Sequence, residues 1–343
     1  MKPGSKVVGR SLRNVFLRNT PYFAHLCVTH RCNLRCRYCH IWEERSPELD
    51  FESTCRLVDA CDSLGCAILS ITGGEPLLRD DIYDIIEHAK SRGLYVRITS
   101  NGVIPLNRLD RLLRTRIDAI TISIDGVHGN DLPHSKVGAQ IQESFEYLVE
   151  HRREQAVSIC TVLHSGNISQ VEGIVEYAQR HGNVGVFVQP VVAGSGKLRV
   201  ATQQKVDPRI LDGMATLDPP FFIAACDEYY RSPTFDWRCR AGQLFFDIKP
   251  NGDFWICQDI PTGLNVLDPD FLKRWKEYDF TTARRGCAGC VYSCYYITQE
   301  AFEIKHWGSL LRAWNGLHAG ASRNGIPAFR AKRRLGSREV TMP

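Results

Sequence analysis

The sequence predicts an α/β protein: a partial (βα)6 barrel followed by a small C-terminal domain built on a β-hairpin and cysteines. Three observations point there. Apolar runs alternate with helical patterns over the first two hundred residues, and such alternation gives a parallel sheet with right-handed crossovers. Two β-type runs flank Pro250-Asn251-Gly252-Asp253 further on, a strong hairpin signal. Most of the cysteines that carry a spacing pattern follow one of these two regions.

Taken in order, the strand-like runs are 23–28, 67–71, 94–99, 119–124, 157–163 and 184–189. Helical patterns fall between them near 53–65, 80–92, 106–114, 139–154 and 169–181. Six such units suit an open relative of the eight-fold barrel, whose active residues lie at the C-terminal ends of the strands. The expected divisions are a basic amphipathic segment at 1–21, the barrel at 22–200, a linker with one helix near 220–230 at 201–234, the cysteine-rich domain at 235–300 and a basic tail at 301–343.

Length and composition bound the rest. The chain has 343 residues, long enough for a large core and more than one domain. Hydrophobic content of 43% and charged content of 24% are those of an ordinary globular protein. No apolar run reaches the length of a membrane span, and no secretory signal pattern opens the chain. Fourteen cysteines in such a chain argue for reduced thiols and metal rather than a disulfide scaffold. Cys27, Cys55, Cys61, Cys66, Cys160 and Cys226 are scattered among apolar residues and read as small hydrophobes. The other eight form two groups.

The first group is Cys32, Cys36 and Cys39, spaced C-x3-C-x2-C just after the first strand. Three thiolates on one loop can hold three irons of a [4Fe–4S] cluster and leave the fourth open. A zinc knuckle completed by His30 or His40 is the plain alternative, since zinc takes four ligands.

With aromatic Tyr38 just before the third cysteine, this loop resembles the signature of radical S-adenosylmethionine (SAM) enzymes. The resemblance implies a [4Fe–4S] cluster whose open iron chelates SAM, reductive cleavage of SAM to a 5′-deoxyadenosyl radical, and hydrogen abstraction from an inert C–H bond. It places Tyr38 near the adenine. It also implies an electron donor such as flavodoxin or ferredoxin.

The second strand runs into Thr72-Gly73-Gly74-Glu75-Pro76. Two glycines allow close backbone approach to a ligand, and Glu75 offers a carboxylate. The motif is similar to the family's GGEP, which implies contacts from Gly73, Gly74 and Glu75 to the SAM amino group. The third strand ends in Ser100-Asn101-Gly102 and the fourth in Ser123-Ile124-Asp125-Gly126. By the same resemblance Ser100 and Ser123 contact SAM, followed by Asn101 and Asp125. Read alone, Asn-Gly and Asp-Gly are ordinary turn pairs. Gln189-Pro190, ending the sixth strand, reads equally as a ligand-side position or a turn.

The second group is Cys239, Cys257, Cys287, Cys290 and Cys294. Its C-x12-G-x4-C and C-x2-C-x3-C spacings resemble the auxiliary-cluster extension called SPASM with two clusters and twitch with one. Too few cysteines remain for two, so one auxiliary [4Fe–4S] cluster is expected. Cys239 and Cys257 are its expected ligands, joined by two of Cys287, Cys290 and Cys294. A zinc ribbon stays open as the alternative. Asp259 stands near where some relatives carry a general base, but it is offset and reads as a turn before Pro261.

Net charge is +5 overall but +5 in residues 1–20 and +6 in 301–343, which leaves the middle at −6. Val8, Leu12, Val15 and Phe16 share a helical face opposite Lys6, Arg10 and Arg13, and Trp307, Leu310, Leu311, Trp314 and Leu317 recur at helical spacing beside Arg312. Basic amphipathic ends either pack on the barrel or lie in a membrane interface. The expected compartment is the cytoplasm, with peripheral contact at a membrane surface as the second reading. No motif for nucleic acid is present.

The expected substrate is a small molecule or lipid-type metabolite first, and a ribosomally made peptide second. Only about 20 residues precede the first strand, few for a peptide-recognition domain by the usual domain sizes. A non-catalytic metal-binding adaptor is the rival from another class, and the strand-end motifs speak against it.

Overall fold

The structure is a computed structural model. It describes residues 3–36, 38–127, 136–164, 166–182, 184–190, 218–231, 237–285, 287 and 289–303. Residues 201–217 and 232–234 of the expected 201–234 linker and residues 304–343 of the expected tail lie outside the described residues.

The chain opens with α1 (Pro3–Leu12), continued by one wider helical turn (Arg13–Arg18). The barrel units follow as β1 (Phe23–Cys27), α2 (Phe51–Leu64), β2 (Ile68–Thr72), α3 (Ile82–Ser91), β3 (Tyr95–Ser100), α4 (Leu106–Arg114), β4 (Ala119–Ser123), α5 (Ala139–His151), β5 (Ala156–Leu163), α6 (Val171–Arg180) and β6 (Gly185–Pro190). Then come α7 (Pro220–Arg231), β7 (Phe245–Ile248), β8 (Asp253–Cys257), β9 (Ile260–Asn265), α8 (Phe271–Glu277), α9 (Phe280–Ala283) and α10 (Ser293–Glu300).

The local signals explain these elements. Asp50 caps α2 by accepting from the Ser53 amide at 2.8 Å, the use to which an N-cap carboxylate is suited. In α3, Ile82, Tyr83, Ile85, Ile86 and Ala89 are buried at helical spacing. Strands β1 to β6 are parallel neighbours in chain order. β3 and β5 alternate a buried apolar row with a half-buried one: Val96 and Ile98 against Arg97 and Thr99 on β3, Val157 and Ile159 against Ser158 and Cys160 on β5. The first row packs under the helices, and the second lines the concave face of the sheet.

The cysteine-rich region is not a separate layer. β7 pairs in parallel with β1 on the side opposite β2, with Phe23 beside Phe245 and His25 beside Asp247. β8 and β9 continue antiparallel, so one sheet runs β6-β5-β4-β3-β2-β1-β7-β8-β9. The expected hairpin is thus three strands, joined to the barrel through the β1 edge. Gln258 and Asp259 form the tight turn between β8 and β9.

Helix α10 spans the open side of the barrel. Its Ser293 donates from backbone and hydroxyl to Gln189 Oε1 on β6, at 2.7 and 2.6 Å. Two residues on, Tyr295 donates to Asp247 on β7 at 2.7 Å. Gln189 is therefore spent on closing the barrel rather than on a simple turn.

The N-terminal segment packs by its polar side. Arg10 donates to the Gly65 carbonyl and the Asp62 carbonyl at 3.0 Å and to the Asp62 carboxylate at 2.6 Å. Val15 is buried, while Val8, Leu12, Phe16 and Leu17 stay exposed. The apolar stripe read from the sequence is thus not what holds α1 to the body. Phe16 meets Phe302 edge to face, ring centres 6.0 Å apart. Among the described residues no helix is long and apolar enough to cross a membrane.

Candidate functional site

The three-cysteine loop leaves the C-terminal end of β1 and is fastened by backbone to the turn that ends β2. Gly74 donates to the Thr29 carbonyl and Glu75 to the Arg31 carbonyl, each at 2.8 Å. A Cβ on Gly73 would stand 2.4 Å from the Thr29 carbonyl oxygen, and one on Gly74 only 2.1 Å from that of Arg31. No side chain fits there. The two glycines are required by the cysteine loop itself, a use the sequence did not distinguish from close approach to a ligand.

Glu75 is fully buried and ties β2 to β3. Its oxygens accept from the Leu77 amide at 3.0 Å and the Asn101 amide at 2.7 Å. Burial pushes its carboxyl up to about 7, against the pull of those amides and of the Ser100 hydroxyl. Ser100 also accepts from the Gly102 amide at 3.1 Å, so its hydroxyl serves the turn. Asn101 turns toward the cysteines: its side-chain amide donates to Asn33 Oδ1 at 2.8 Å and lies 3.7 Å from Cys32 Sγ. The Leu34 amide donates to the same sulfur at 3.4 Å. Such N–H···S contacts stabilise negative charge on sulfur and tune cluster potentials.

On the other flank Tyr38 donates its hydroxyl to Asp125, which is fully buried. Asp125 also accepts from the Val162 and Lys136 amides, both at 3.1 Å. Asp125 is thus a fastener between β4, β5 and the cysteine loop. Ser123 is buried at the strand end and makes no hydrogen bond among the described residues, which leaves its hydroxyl open to a ligand. Lys136 was not legible as a site residue. Its ammonium lies 5.3 Å from the centre of the Tyr38 ring. It is close enough to Asp125, Cys36, Cys39 and Cys160 for their negative charge to raise its pKa despite burial. His164 packs on Tyr38 with ring centres 5.6 Å apart.

Burial holds Cys36 up at about 11 and raises Cys32, so these thiols need a cation before they ionise. Three soft donors on one loop, N–H groups at one sulfur and a lysine beside the others fit a cluster that binds one thiolate per iron.

The second cysteine group splits. Cys239, Cys257, Cys287 and Cys290 line a cleft of about 1050 Å³, beside Arg238 and Arg284. The Ala241 amide donates to Cys239 Sγ at 3.4 Å. Burial lifts Cys239 to about 11 and Cys257 to about 12. Cys294 does not line that cleft. It sits on α10 facing the barrel, close enough to feel Asp247, Arg97 and Cys160. Cys160 faces the lumen as well, unlike the core cysteines Cys55, Cys61, Cys66 and Cys226 with which it was grouped.

The Radical SAM superfamily model matches residues 26–178, the span that carries the cysteine loop, Glu75, Asn101 and Asp125. The chain carries a radical SAM domain. That family binds a [4Fe–4S] cluster and SAM. The chain is similar to a PqqA peptide cyclase of Methylorubrum extorquens (strain PA1), 32% identical over 163 residues, 45% of this chain and 42% of that protein. It is also similar to a probable GTP 3′,8-cyclase of Methanopyrus kandleri, 37% identical over 122 residues, 35% of this chain and 36% of that protein. The match thus spans less than half the length of these curated relatives. Among solved structures it shares the fold of Streptococcus suis SuiB bound to precursor peptide SuiA, with a TM-score of 0.62 at 17% identity. That likeness of fold covers 80% of this chain and 68% of SuiB.

Proposed function

We propose that the chain is a radical SAM enzyme that modifies a ribosomally made peptide. The observation that carries the peptide reading is the likeness to a PqqA peptide cyclase, 32% identical over 163 residues, supported by a shared fold with a protein solved with its precursor peptide. The substrate order expected from the basic ends is reversed. Val8, Leu12, Phe16 and Leu17 stay exposed on the N-terminal helical segment and the basic tail lies outside the described residues, so the ends do not carry the substrate order. A small-molecule substrate is the second reading, favoured by the likeness to the GTP 3′,8-cyclase.

In this reading Cys32, Cys36 and Cys39 hold the SAM-binding cluster, and Cys239, Cys257, Cys287 and Cys290 hold one auxiliary cluster. Cys294 is left out because it faces the lumen. When bound, the first cluster supplies the electron that turns SAM into a hydrogen-abstracting radical; flavodoxin or ferredoxin would deliver that electron. The protein's part is positioning. Asn101 and the Leu34 amide orient Cys32. Gly73, Gly74 and Glu75 lock the loop to β2 and β3. Tyr38 is fixed by Asp125, and Lys136 brings positive charge beside Cys36 and Cys39. Ser123 offers the open hydroxyl for SAM.

The test is anaerobic consumption of SAM by reconstituted, reduced protein given the small-peptide fraction of a cell extract. A protease-treated aliquot and a deproteinised metabolite fraction serve as comparisons. Stimulation lost on protease treatment is the expected result. Stimulation by the metabolite fraction alone would replace the peptide reading with the small-molecule one.

A further inference from the structure

The concave face of the sheet carries a charged row that the cofactor site does not use. His25 on β1 pairs in register with Ser70 on β2 and with Asp247 on β7, and Ser70 pairs with Arg97 on β3. The four side chains therefore project from one level of the barrel into its lumen. Arg97 is near enough to His25, Cys160 and Cys294 for its charge to act on all three. Those residues belong to β1, β5 and α10, which surround the lumen from different sides. The guanidinium thus sits within the barrel rather than along one wall.

Arg97 has no hydrogen bond or ion pair among the described residues. The five donors of its half-buried side chain are therefore available to an acceptor that enters the lumen. The neighbouring charges of the row have partners of their own. Lys249 lies 4.2 Å from the centre of the Trp255 ring. Asp247, the acid of the row, accepts from Tyr295. A second polar atom is orphaned at the same level: His25 Nε2 is buried with no partner. Burial and the charges of Arg97 and Lys249 hold that imidazole neutral, so it can donate one N–H without adding charge.

Arg97 stands four residues before Asn101, about 13 Å down the strand from the cysteine loop at the usual strand rise. A group bound there would lie below the SAM level, deeper in the barrel. The planar guanidinium fork matches a carboxylate in two-point contact.

We propose that Arg97, with the His25 imidazole beside it, binds a substrate carboxylate in the barrel lumen. It is a binding residue that sets which substrate enters and how deep it sits. The proposal rests on the peptide reading only for the source of that carboxylate, a side chain or terminus of a peptide; the site itself would serve any carboxylate of fitting size.

The experiment is calorimetric titration of reconstituted protein with SAM present, using glutarate, inorganic phosphate and uncharged glutaramide as probes. Wild type, Arg97→Gln and Arg97→Lys are compared after matching their iron content and circular dichroism. The expected result is one glutarate site, no glutaramide binding, and affinity weaker by about tenfold or more in Arg97→Gln. Arg97→Lys should recover part of the loss, since it keeps the charge but not the fork. Should Arg97→Gln fail to fold, the glutarate-dependent rise in melting temperature of wild type against Arg97→Lys gives the same comparison. Equal glutarate affinity in all variants, or no binding of either anion, would overturn the site. Phosphate bound at Arg97 in preference to glutarate would overturn the carboxylate assignment and, with it, the peptide source.

Discussion

Tyr295 donates its hydroxyl to Asp247 at 2.7 Å, and that bond joins helix α10 to the strand that extends the barrel past β1. The Tyr295 ring stacks on Phe245 at 4.9 Å and 7°. Its oxygen also accepts from the Gln258 amide at 2.9 Å, at the turn beside Cys257. One phenol therefore connects the lumen, the closing helix and the second cysteine cleft. Tyr295→Phe keeps the stack and takes this partner from the buried Asp247 carboxyl and from the Gln258 amide of an exposed turn. It should cost about 2 kcal/mol of stability, read as a lowered denaturation midpoint with unchanged slope.

Asp247 should make stability depend on pH. Burial raises its carboxyl from 3.8 to about 6, offset in part by Lys249 and Tyr295. The folded form then holds the proton to higher pH than the unfolded chain does. Stability falls as pH rises through this window, and above it the loss is roughly 3 kcal/mol. Asp247→Asn cannot ionise and should lack that fall. Denaturation midpoints at pH 5 and pH 7, wild type against variant, check the sign.

Gly74→Ala should disrupt the first cluster without touching a ligand. Its Cβ would stand 2.1 Å from the Arg31 carbonyl oxygen, and backbone on both sides leaves nothing flexible to give way. The cysteine loop must move. Iron analysis after reconstitution should show a loss of about four atoms per chain, one [4Fe–4S] cluster, with the auxiliary cluster retained.

Much of this was legible in the sequence. Strand and helix periodicity gives all six barrel units within a few residues, because β1 to β6 pair in chain order and their buried rows are plainly apolar. The cysteine loop is legible because its ligands are adjacent in sequence. What depends on contacts between distant segments was not. Nothing local marks Phe245 as the neighbour of Phe23, so the hairpin read as a separate domain. Lys136 and Arg97 look like surface charges; the curvature of the sheet turns Arg97 inward, and the connection between β4 and α5 brings Lys136 to Tyr38. Ser100 and Ser123 look alike at two strand ends, yet one hydroxyl is consumed by Glu75 and Gly102 and the other is open. Cys294 sits in register with Cys290 in the sequence, and the start of α10 sends it to the opposite side.

That split gives a direct comparison. Cys287→Ala should lose about four irons per chain, as removal of one ligand destabilises a [4Fe–4S] cluster. Cys294→Ala should keep the full complement. Equal loss in both would return Cys294 to the ligand set.

The most direct measurement is 5′-deoxyadenosine release from SAM by reduced, reconstituted wild type and Cys36→Ala under identical anaerobic conditions, with iron counted in both. The expected result is release from wild type and none from Cys36→Ala, although that variant keeps the irons of the Cys239, Cys257, Cys287 and Cys290 cleft. Equal release from the two proteins, or none from wild type carrying both clusters, would contradict SAM cleavage at the three-cysteine loop.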